Sequence, residues 1–575
     1  MAAWWGITGF HPFSFFSSPG AAVLFFLYKE KEKNGAPTLF PFLAEKRKWC
    51  RKKSKRFCLV RSAHKLFPKG GVWVRKRSIF YNALLLTGVN FLLRGVSMVF
   101  QVYLSRRIGA AGVGLLQLVL TVETAAMTFG LSGARVAAMY LCAEEYGRRR
   151  LDGVRSALAH CLGYGMVCSV LAGAALLFGS EWIAVTWLHE SAAASCLRLV
   201  ALALPVGCCG AILSAYFTAC GQVGRLVRVD VAERLACLTL TMFLLLAFAG
   251  DSPTETCGAV LLGGDLTGLA ACAVLGWMIW RDLHGRTPRA GLEMGRRMAK
   301  LCLPLAASDY LRSGLRTIEQ FLIPWGLMRA GGSYEAAMAE YGMFGGMVFP
   351  VLMFPAAFLY ALSDLLVPEL ARSRAEGNRM RVQHLTQKCL RMGLLFAGAV
   401  AGGLFALAPW LGQAIYGLDT PGCLLRILSP MVLSLYMDAI VDGMLKGLGE
   451  QVSCVRYNTI TMAMDVLLLR ALLPRFGLAA YLLSFAVTHL VNFALSLRRL
   501  LAVTGHAPDV RYVLRALFCT VAATAGAFAV FGPGLWPILL GRTALFAVSF
   551  AGLLRLTGTL ERSDTVWLRQ VLRGH

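Results

Sequence analysis

The chain has 575 residues, of which 57% are hydrophobic and only 15% charged, with a mean hydropathy of +0.61. A soluble protein of this size needs a polar surface that this composition cannot supply, which argues against a large soluble helical protein. The formal charge of +27 is also found in nucleic-acid-binding proteins. Here, however, the basic residues beyond residue 77 lie in short loops between apolar runs, so membrane topology explains them better and no nucleic-acid partner is expected.

Residues 1–77 differ from the rest of the chain. They contain 11 Lys and 6 Arg, whereas the only later lysines are Lys300, Lys388 and Lys446. The basic stretch 46–77 predicts a disordered extension, and the chain start lacks the basic region of a signal peptide. The switch from Lys to Arg favours a natural start near residues 71–74. The alternative is a genuine cytoplasmic extension or an extra membrane segment.

From Phe80 onward, apolar runs of about 20 residues recur, the length that crosses a hydrocarbon core as a helix. The sequence therefore predicts an all-α membrane protein with about fourteen transmembrane helices. The predicted segments are 80–103, 112–141, 156–178, 196–217, 229–249, 257–280, 300–328, 341–366, 386–409, 424–445, 453–473, 476–497, 513–532 and 534–556.

The loops between these segments alternate in charge. One set holds about 28 Lys and Arg, and the opposite set about 5. We call the two ends of the helical bundle that carry these loops the arginine-rich end and the arginine-poor end. The positive-inside rule places the arginine-rich end in the cytoplasm. The sequence thus predicts a multi-pass protein of the cytoplasmic membrane, with both ends of the core cytoplasmic.

An internal repeat has an offset of 228 residues. It relates two six-helix blocks of the same orientation, which indicates two lobes around an axis along the membrane normal, with the last two helices outside the repeat. The predicted divisions are the extension 1–77, an N-lobe 78–300, a C-lobe 301–500, and a unit 501–575 with the last two helices and a tail. The pairs at this offset are Gly114 with Gly342, Arg198 with Arg426, Gly221 with Gly449, and Arg228 with Arg456.

Ionisable side chains inside membrane helices are costly and usually face a cavity or a partner. On the seventh segment, spacings of 3, 4 and 3 put four of them on one helix face, which we expect to line the space between the lobes. The alternative is an internal salt-bridge ladder that only fixes packing. The predicted cavity residues are Arg94, Glu123, Arg135, Asp309, Arg312, Arg316 and Glu319.

Further acidic residues are candidates for cation coupling or gating, namely Asp364, Asp438 and Asp442. Asp442 could instead pair with Lys446, four residues later. Asp265 on the sixth segment is a further candidate for pairing or coupling. Arg198 and Arg426 are expected at the outer interface, where snorkelling explains them.

A cavity with several arginines suits an anionic ligand, because guanidinium binds phosphate oxygens in bidentate geometry and stays charged. The chain has no phosphate-binding loop of the Walker type and no Ser/His/Asp arrangement, and its 17 cysteines show no zinc spacing. We therefore expect no enzyme activity, no metal site and no cofactor. Transport would be driven by the membrane potential or by an H⁺ or Na⁺ gradient.

Two loops carry a family resemblance. The segment Leu104–Leu118, LSRRIGAAGVGLLQL, resembles the first helix-to-helix loop of stage V sporulation protein B-like polysaccharide-biosynthesis proteins, and the turn Leu445–Glu450 resembles a second loop of that family. These proteins belong to the MOP exporter superfamily of MATE, MurJ and Wzx proteins. The resemblance implies a V-shaped pair of six-helix lobes with alternating access, and last helices that form a groove for a polyprenyl tail.

The resemblance also implies roles for particular residues. Arg94 corresponds to the arginine of the first helix, and Arg312 or Arg316 to its partner in the second lobe. Arg135 departs from the family pattern, which usually has an uncharged residue at that place.

The function that we expect is a flippase for an undecaprenyl-pyrophosphate-linked saccharide, either lipid II-like or a polysaccharide repeat unit. Its partners would be that lipid-linked oligosaccharide and the membrane lipids, and it would act as a monomer. A MATE-type cation-coupled drug antiporter is one alternative, but it would need an acidic, aromatic cavity with few arginines. A membrane-embedded glycosyltransferase or ligase is another, but it would need larger loops outside the membrane.

Overall fold

The computed structural model describes residues 76–247, 250, 252–285, 292–505, 509–530 and 534–560. The side chains of residues 76–91, 292, 361, 362, 364, 365 and 368 are outside this description. Residues 1–75 of the predicted basic extension also lie outside the described residues.

The described residues form seventeen α-helices and no strand. A π-helix, Met343–Val348, joins α8 to α9, and a 3-10 helix, Ser429–Met431, joins α12 to α13. The helices are α1 Lys76–Leu131, α2 Ala134–Gly147, α3 Leu151–Thr186, α4 Ala193–Ala219, α5 Val223–Ala247, α6 Pro253–Asp282, α7 Leu292–Arg329, α8 Tyr334–Gly342, α9 Phe349–Met353, α10 Ala356–Ala375, α11 Arg379–Tyr416, α12 Asp419–Leu428, α13 Val432–Gly447, α14 Gln451–Phe476, α15 Leu478–Thr504, α16 Val510–Ala527 and α17 Leu535–Leu556.

Ten helical stretches of the described residues are long and apolar enough to cross a membrane. Large apolar side chains point outward from them, such as Phe178 at 86% and Leu556 at 85% exposed, as expected for a surface that faces lipid. The prediction of an all-α, multi-pass membrane protein is therefore confirmed. The first two predicted segments form one continuous stretch within α1, and α5, α7 and α14 carry charges along their length and are not among the ten. The count of fourteen stays a prediction.

Two predicted boundaries near the start of the core are wrong. The loop predicted between residues 103 and 112 shrinks to Gly109, the one non-helical residue inside α1, with φ of 69°. The segment predicted at 112–141 is broken at Ser132 and Gly133, where φ is 43° and 76°. Gly133 has room for no side chain, because a Cβ there would lie 2.9 Å from the carbonyl oxygen of Cys302 on α7.

The segment predicted at 341–366 is also interrupted, first by the π-helix and then by a turn at residues 354–355. A π-turn leaves carbonyl groups without their usual helical partners, which membrane proteins satisfy from neighbouring helices. Gln101 donates through Nε2 to the carbonyl of Gly346 at 2.9 Å, and the Tyr416 hydroxyl donates to the carbonyl of Met347 at 2.8 Å. The irregular backbone is thus held by side chains from both α1 and α11.

The 228-residue offset recurs in the backbone. At two equivalent helix ends, the N–H of Gln222 bonds the carbonyl of Phe217 and the N–H of Glu450 bonds that of Leu445, both at 2.8 Å. Such bonds close a helix end around a left-handed residue. Three pairs of residues with positive φ stand at this offset: Arg149 (58°) with Gly377 (70°), His189 (53°) with Gly417 (72°), and Gly221 (70°) with Gly449 (73°).

The packing follows this organisation without a break at the predicted boundaries. The last two helices, α16 and α17, pack on α11 through a separate cluster that includes Cys519, Ala523, Phe546 and Phe550. The predicted boundaries at 300 and 500 lie inside α7 and α15. The division into N-lobe and C-lobe stays a prediction as to its limits.

Candidate functional site

Arg94 reaches from the N-lobe to the C-lobe. It lies on α1, is partly exposed, and places its guanidinium carbon 5.8 Å from the ring centre of Tyr360 on α10. A guanidinium over a phenol ring is a cation–π contact, which leaves the in-plane N–H groups able to bind an anion. No described contact joins Arg94 to Arg312 or Arg316, its predicted partners on α7.

A second guanidinium, which sequence reasoning missed, lies close to Arg94. Arg234 on α5 is within Coulomb range of Arg94, Asp230 and Glu233, and its buried Nε and Nη1 atoms have no hydrogen-bond partner among the described residues. The signal was present in the sequence, because Asp230, Glu233 and Arg234 stand one helical turn apart inside the predicted segment 229–249. A buried N–H without a partner is costly, and an anionic ligand would satisfy it.

Two other predicted residues of the N-lobe lie at different depths. Arg135 is exposed at the start of α2, directly after the Ser132–Gly133 break, and lies within Coulomb range of Asp230. Glu123 on α1 is 8% exposed, and its buried Oε2 has no hydrogen-bond partner among the described residues. Its acidic neighbour within Coulomb range is Asp265 on α6, so the structure brings together two predicted carboxylates.

The charged face of α7 is divided along its length. Asp309 and Arg312 form an ion pair of 2.7 Å, and the buried Nε of Arg312 has no hydrogen-bond partner among the described residues. Arg316, one turn further, lies within Coulomb range of Arg312 and Glu319. The predicted stripe therefore exists as one face, and it begins with an ion pair and ends at a separate pocket.

Glu319 lines a closed pocket of about 50 Å³ near the arginine-poor half of the C-lobe. Asp465 of α14 lines the same pocket and accepts a hydrogen bond of 2.6 Å from Ser484 and a weaker one of 3.4 Å from Thr488. The volume suits one small cation or a water molecule. Asp465 was missed from the sequence, although it is the one acidic residue inside the segment 453–473.

The predicted coupling residues lie between α13 and α15. Asp438 accepts from Asn492 Nδ2 at 2.9 Å, and its buried Oδ1 has no partner among the described residues. Asp442 is 1% exposed and accepts from Ser496 at 3.2 Å, so a hydroxyl rather than Lys446 makes its described hydrogen bond. Asp364 lies on α10, and its side chain is outside the described residues.

The two lobes contact each other at the arginine-poor end. Arg106 donates through Nε to the carbonyl of Ile415 at 2.9 Å, at the C-terminal end of α11. The hydroxyl of Tyr334 donates to the carbonyl of Leu188 at 2.7 Å. Each of these contacts joins one lobe to the other, so this end of the space between the lobes is closed.

The comparisons with known proteins agree with this geometry. A family model described as polysaccharide biosynthesis protein matches residues 79–372. The sporulation protein YkvU of Bacillus subtilis (strain 168) is 25% identical over 177 residues, which are 30% of this chain and 40% of that protein. The chain thus spans less than half the length of this relative. The family resemblance of residues 104–118 is confirmed, since they lie within the matched range.

Solved structures show the same fold. The lipid II flippase MurJ in an inward closed conformation superposes with a TM-score of 0.60 at 12% identity, covering 82% of this chain and 98% of that one. An inward-facing MATE family transporter of the MOP superfamily gives 0.52 at 14% identity, covering 73% and 96%. A MOP superfamily transporter from Pyrococcus furiosus gives 0.50 at 14% identity, covering 74% and 96%. At these identities the likeness shows the fold alone, which is that of MOP transporters.

Proposed function

The chain belongs to the polysaccharide biosynthesis protein family, and from this premise we propose that it is a flippase for an undecaprenyl-pyrophosphate-linked saccharide. The polyprenyl tail would stay in the bilayer while the head group crosses between the lobes. The solved structures that share its fold are transporters or flippases, which supports transport rather than catalysis. The relative named as a sporulation protein makes a cell-wall precursor of a spore-forming bacterium one candidate substrate.

The observation that carries the proposal is a set of guanidinium groups with unused donors. Nε and Nη1 of Arg234 and Nε of Arg312 are buried without hydrogen-bond partners among the described residues. A pyrophosphate offers several acceptor oxygens that match the planar donor geometry of arginine. In the proposal, Arg94, Arg312 and Arg316 hold the pyrophosphate, and Arg234 joins them.

The acidic residues near these arginines have a second role in the proposal. Asp309 on α7 and Asp230 on α5 neutralise the guanidinium groups when no ligand is bound. A bound pyrophosphate would replace them, so that the site does not hold unpaired buried charge in either state. Glu123 and the exposed Arg135 complete the proposed charged surface of the N-lobe.

The direction of transport follows from the charge alternation. If the arginine-rich end is cytoplasmic, the contacts of Arg106 and Tyr334 close the outer end. This conformation would then admit the head group from the cytoplasm. Release on the other side would require these contacts to break, as alternating access demands.

A cation would drive the return step. We propose that Glu319 and Asp465, which share the closed pocket, take up H⁺ or Na⁺, and that Asp438 and Asp442 contribute along α13. Carboxylates in membrane helices commonly serve as such sites. The membrane potential would add driving force, because each net charge moved is worth about 2.3 kcal/mol per 100 mV.

The test is translocation of a fluorescent or radiolabelled polyprenyl-pyrophosphate saccharide in proteoliposomes. Arg312→Ala with Arg316→Ala, and separately Arg234→Gln, should lower the rate by about tenfold or more, since each lost charge-assisted hydrogen bond is worth roughly 1.5–3 kcal/mol. Arg228→Gln is the matched control, because Arg228 is exposed on the same helix as Arg234. Equal rates in all these variants would refute the proposal.

The same vesicles separate the alternatives. A drug antiporter would exchange a lipophilic cation against H⁺ or Na⁺ and leave the lipid-linked saccharide in place. A glycosyltransferase or ligase would change the mass of the saccharide, which thin-layer or mass-spectrometric analysis of the recovered lipid detects. Transfer to the opposite leaflet with unchanged mass fits a flippase only.

A further inference from the structure

Two guanidinium groups share one aromatic ring at the junction of the C-lobe with the last two helices. The guanidinium carbon of Arg426 lies 5.1 Å from the ring centre of Phe528, and that of Arg542 also lies 5.1 Å from it. Phe405 adds a second ring against Arg426 at 4.9 Å, and Trp410 one against Arg542 at 5.6 Å. This place is at the arginine-poor end, away from the charged residues between the lobes.

The internal repeat shows what is unusual here. In the N-lobe, Arg198 forms an ion pair of 2.5 Å with Glu181. The equivalent of Arg198 is Arg426, but the position 228 residues after Glu181 is Pro409, which has no charge. The C-lobe has thus kept the arginine without its carboxylate.

Arg542 has no carboxylate partner either. It is 8% exposed, and it donates through Nε to the carbonyl of Val530 and through Nη1 to the carbonyl of Ala406, both at 3.3 Å. Among the described residues, neither Arg426 nor Arg542 has an ion pair. Asp419, two turns before Arg426, accepts a hydrogen bond of 2.7 Å from Gln413.

The aromatic rings do not replace a counter-ion. Cation–π contacts use the flat faces of the guanidinium groups, whereas the N–H groups point outward in the plane. Two positive charges that are largely removed from water therefore still require an anion. Planar donor groups fit a phosphate oxygen pair best.

We propose that Arg426 and Arg542 bind the phosphate of an anionic phospholipid at the arginine-poor end. The neighbouring surface suits its acyl chains, because Trp536 and Leu540 on α17 are 61% and 67% exposed. An exposed tryptophan near a helix end is typical of the lipid head-group region. This site is separate from the proposed translocation site and does not depend on the flippase activity.

The test is binding of dioctanoyl phosphatidylglycerol to the full chain in detergent micelles, followed by the thermal unfolding midpoint. The midpoint should rise with this lipid, and dioctanoyl phosphatidylcholine and inorganic phosphate should produce a smaller rise. Arg426→Gln should weaken the apparent affinity by about tenfold or more, as expected for the loss of a charge-assisted hydrogen bond.

Two further variants use the repeat as an internal control. Pro409→Glu would place a carboxylate where the N-lobe has Glu181, and it should weaken lipid binding as Arg426→Gln does. Arg198→Gln removes the equivalent arginine that already has a partner, so it should bind like the wild type. An equal response to phosphatidylcholine, an equal response to inorganic phosphate, or the same loss in Arg198→Gln would overturn the assignment to an anionic phospholipid at this site. The micelle assay needs no transport, so its failure is distinguishable from failure of the flippase proposal.

Discussion

Gly114 and Gly342, which are 228 residues apart in the sequence, lie against each other where the two lobes meet. A Cβ on Gly342 would be 2.5 Å from the backbone nitrogen of Gly114, and one on Gly114 would be 3.3 Å from that of Gly342. The surroundings are also exchanged, since Gly114 faces the carbonyl of Met338 and Gly342 faces that of Ala110, its repeat equivalent. Reciprocal contacts of equivalent residues arise beside a two-fold axis. The pseudo-symmetry axis therefore passes through the closed arginine-poor end.

The first prediction concerns this closure. Gly342→Ala would place a methyl group onto the carbonyl oxygen of Ala110, and because both groups belong to helices, the lobes have to separate. Overpacking of this kind costs about 1–3 kcal/mol, so we expect the closed population to fall by about 5- to 150-fold. Hydrogen–deuterium exchange of the amides at 104–116 and 334–346 would measure the opening.

The π-helix offers a matched control for this variant. A Cβ on Gly345 would have no neighbour within 4 Å, so Gly345→Ala should leave the exchange unchanged. If Gly342→Ala exchanged like the wild type, the glycine pair would not be what allows the lobes to close.

The second prediction concerns the bond between Tyr334 and the carbonyl of Leu188. Tyr334→Phe removes this donor while it keeps the ring, and one hydrogen bond is worth about 1 kcal/mol. We expect about a fivefold smaller closed population by the same exchange measurement. Tyr457→Phe is the control, because the described contact of Tyr457 is through its ring with Arg456. An identical effect of both substitutions would count against a specific role of the Tyr334 hydroxyl.

The third prediction compares turns that the repeat makes equivalent. Arg149 and His189 have φ of 58° and 53°, where their equivalents are Gly377 and Gly417. A left-handed conformation costs a non-glycine residue about 1–2 kcal/mol, and glycine loses about 0.5–1 kcal/mol through its freedom in the unfolded chain. Arg149→Gly and His189→Gly should therefore raise the thermal midpoint slightly.

The reverse substitutions complete this test. Gly377→Ala and Gly417→Ala should lower the midpoint, since nothing lies within 4 Å of their added Cβ atoms and backbone strain alone remains. If both sets shifted the midpoint in the same direction, the difference in φ between the repeats would not determine these stabilities.

Much of the architecture was predictable because the membrane imposes strong rules on sequence. Apolar length, loop charge and the 228-residue offset indicated the helical bundle and its repeat. The offset also paired Gly114 with Gly342, but nothing in the sequence indicated that the two touch. Contact across an axis depends on how the lobes pack, which periodicity does not encode.

The candidate site was predictable only in part. The face of α7 was found from its spacing, because 3.6 residues per turn fixes which side chains share a side. Arg234 was missed, although its helix was predicted, because a single positive charge among neighbours of opposite sign suggests local pairing. The division of the α7 face between an ion pair and the closed pocket depends on α14, and in particular on Asp465, which only the fold brings near Glu319.

The last prediction concerns that pocket. Asp465→Asn keeps an oxygen that can accept from Ser484 and Thr488, and Glu319→Gln keeps the size of the side chain, so both variants should fold. Each removes a negative charge that a cation would need in this enclosed space. We expect translocation in proteoliposomes to lose its dependence on an imposed Na⁺ or H⁺ gradient, and the gradient that drives the wild type identifies the ion. Asp419→Asn is the control, because Asp419 is exposed at the arginine-poor end and should leave the dependence intact. Full gradient dependence in both pocket variants would exclude Glu319 and Asp465 as the coupling site and leave Asp438 and Asp442 to be tested.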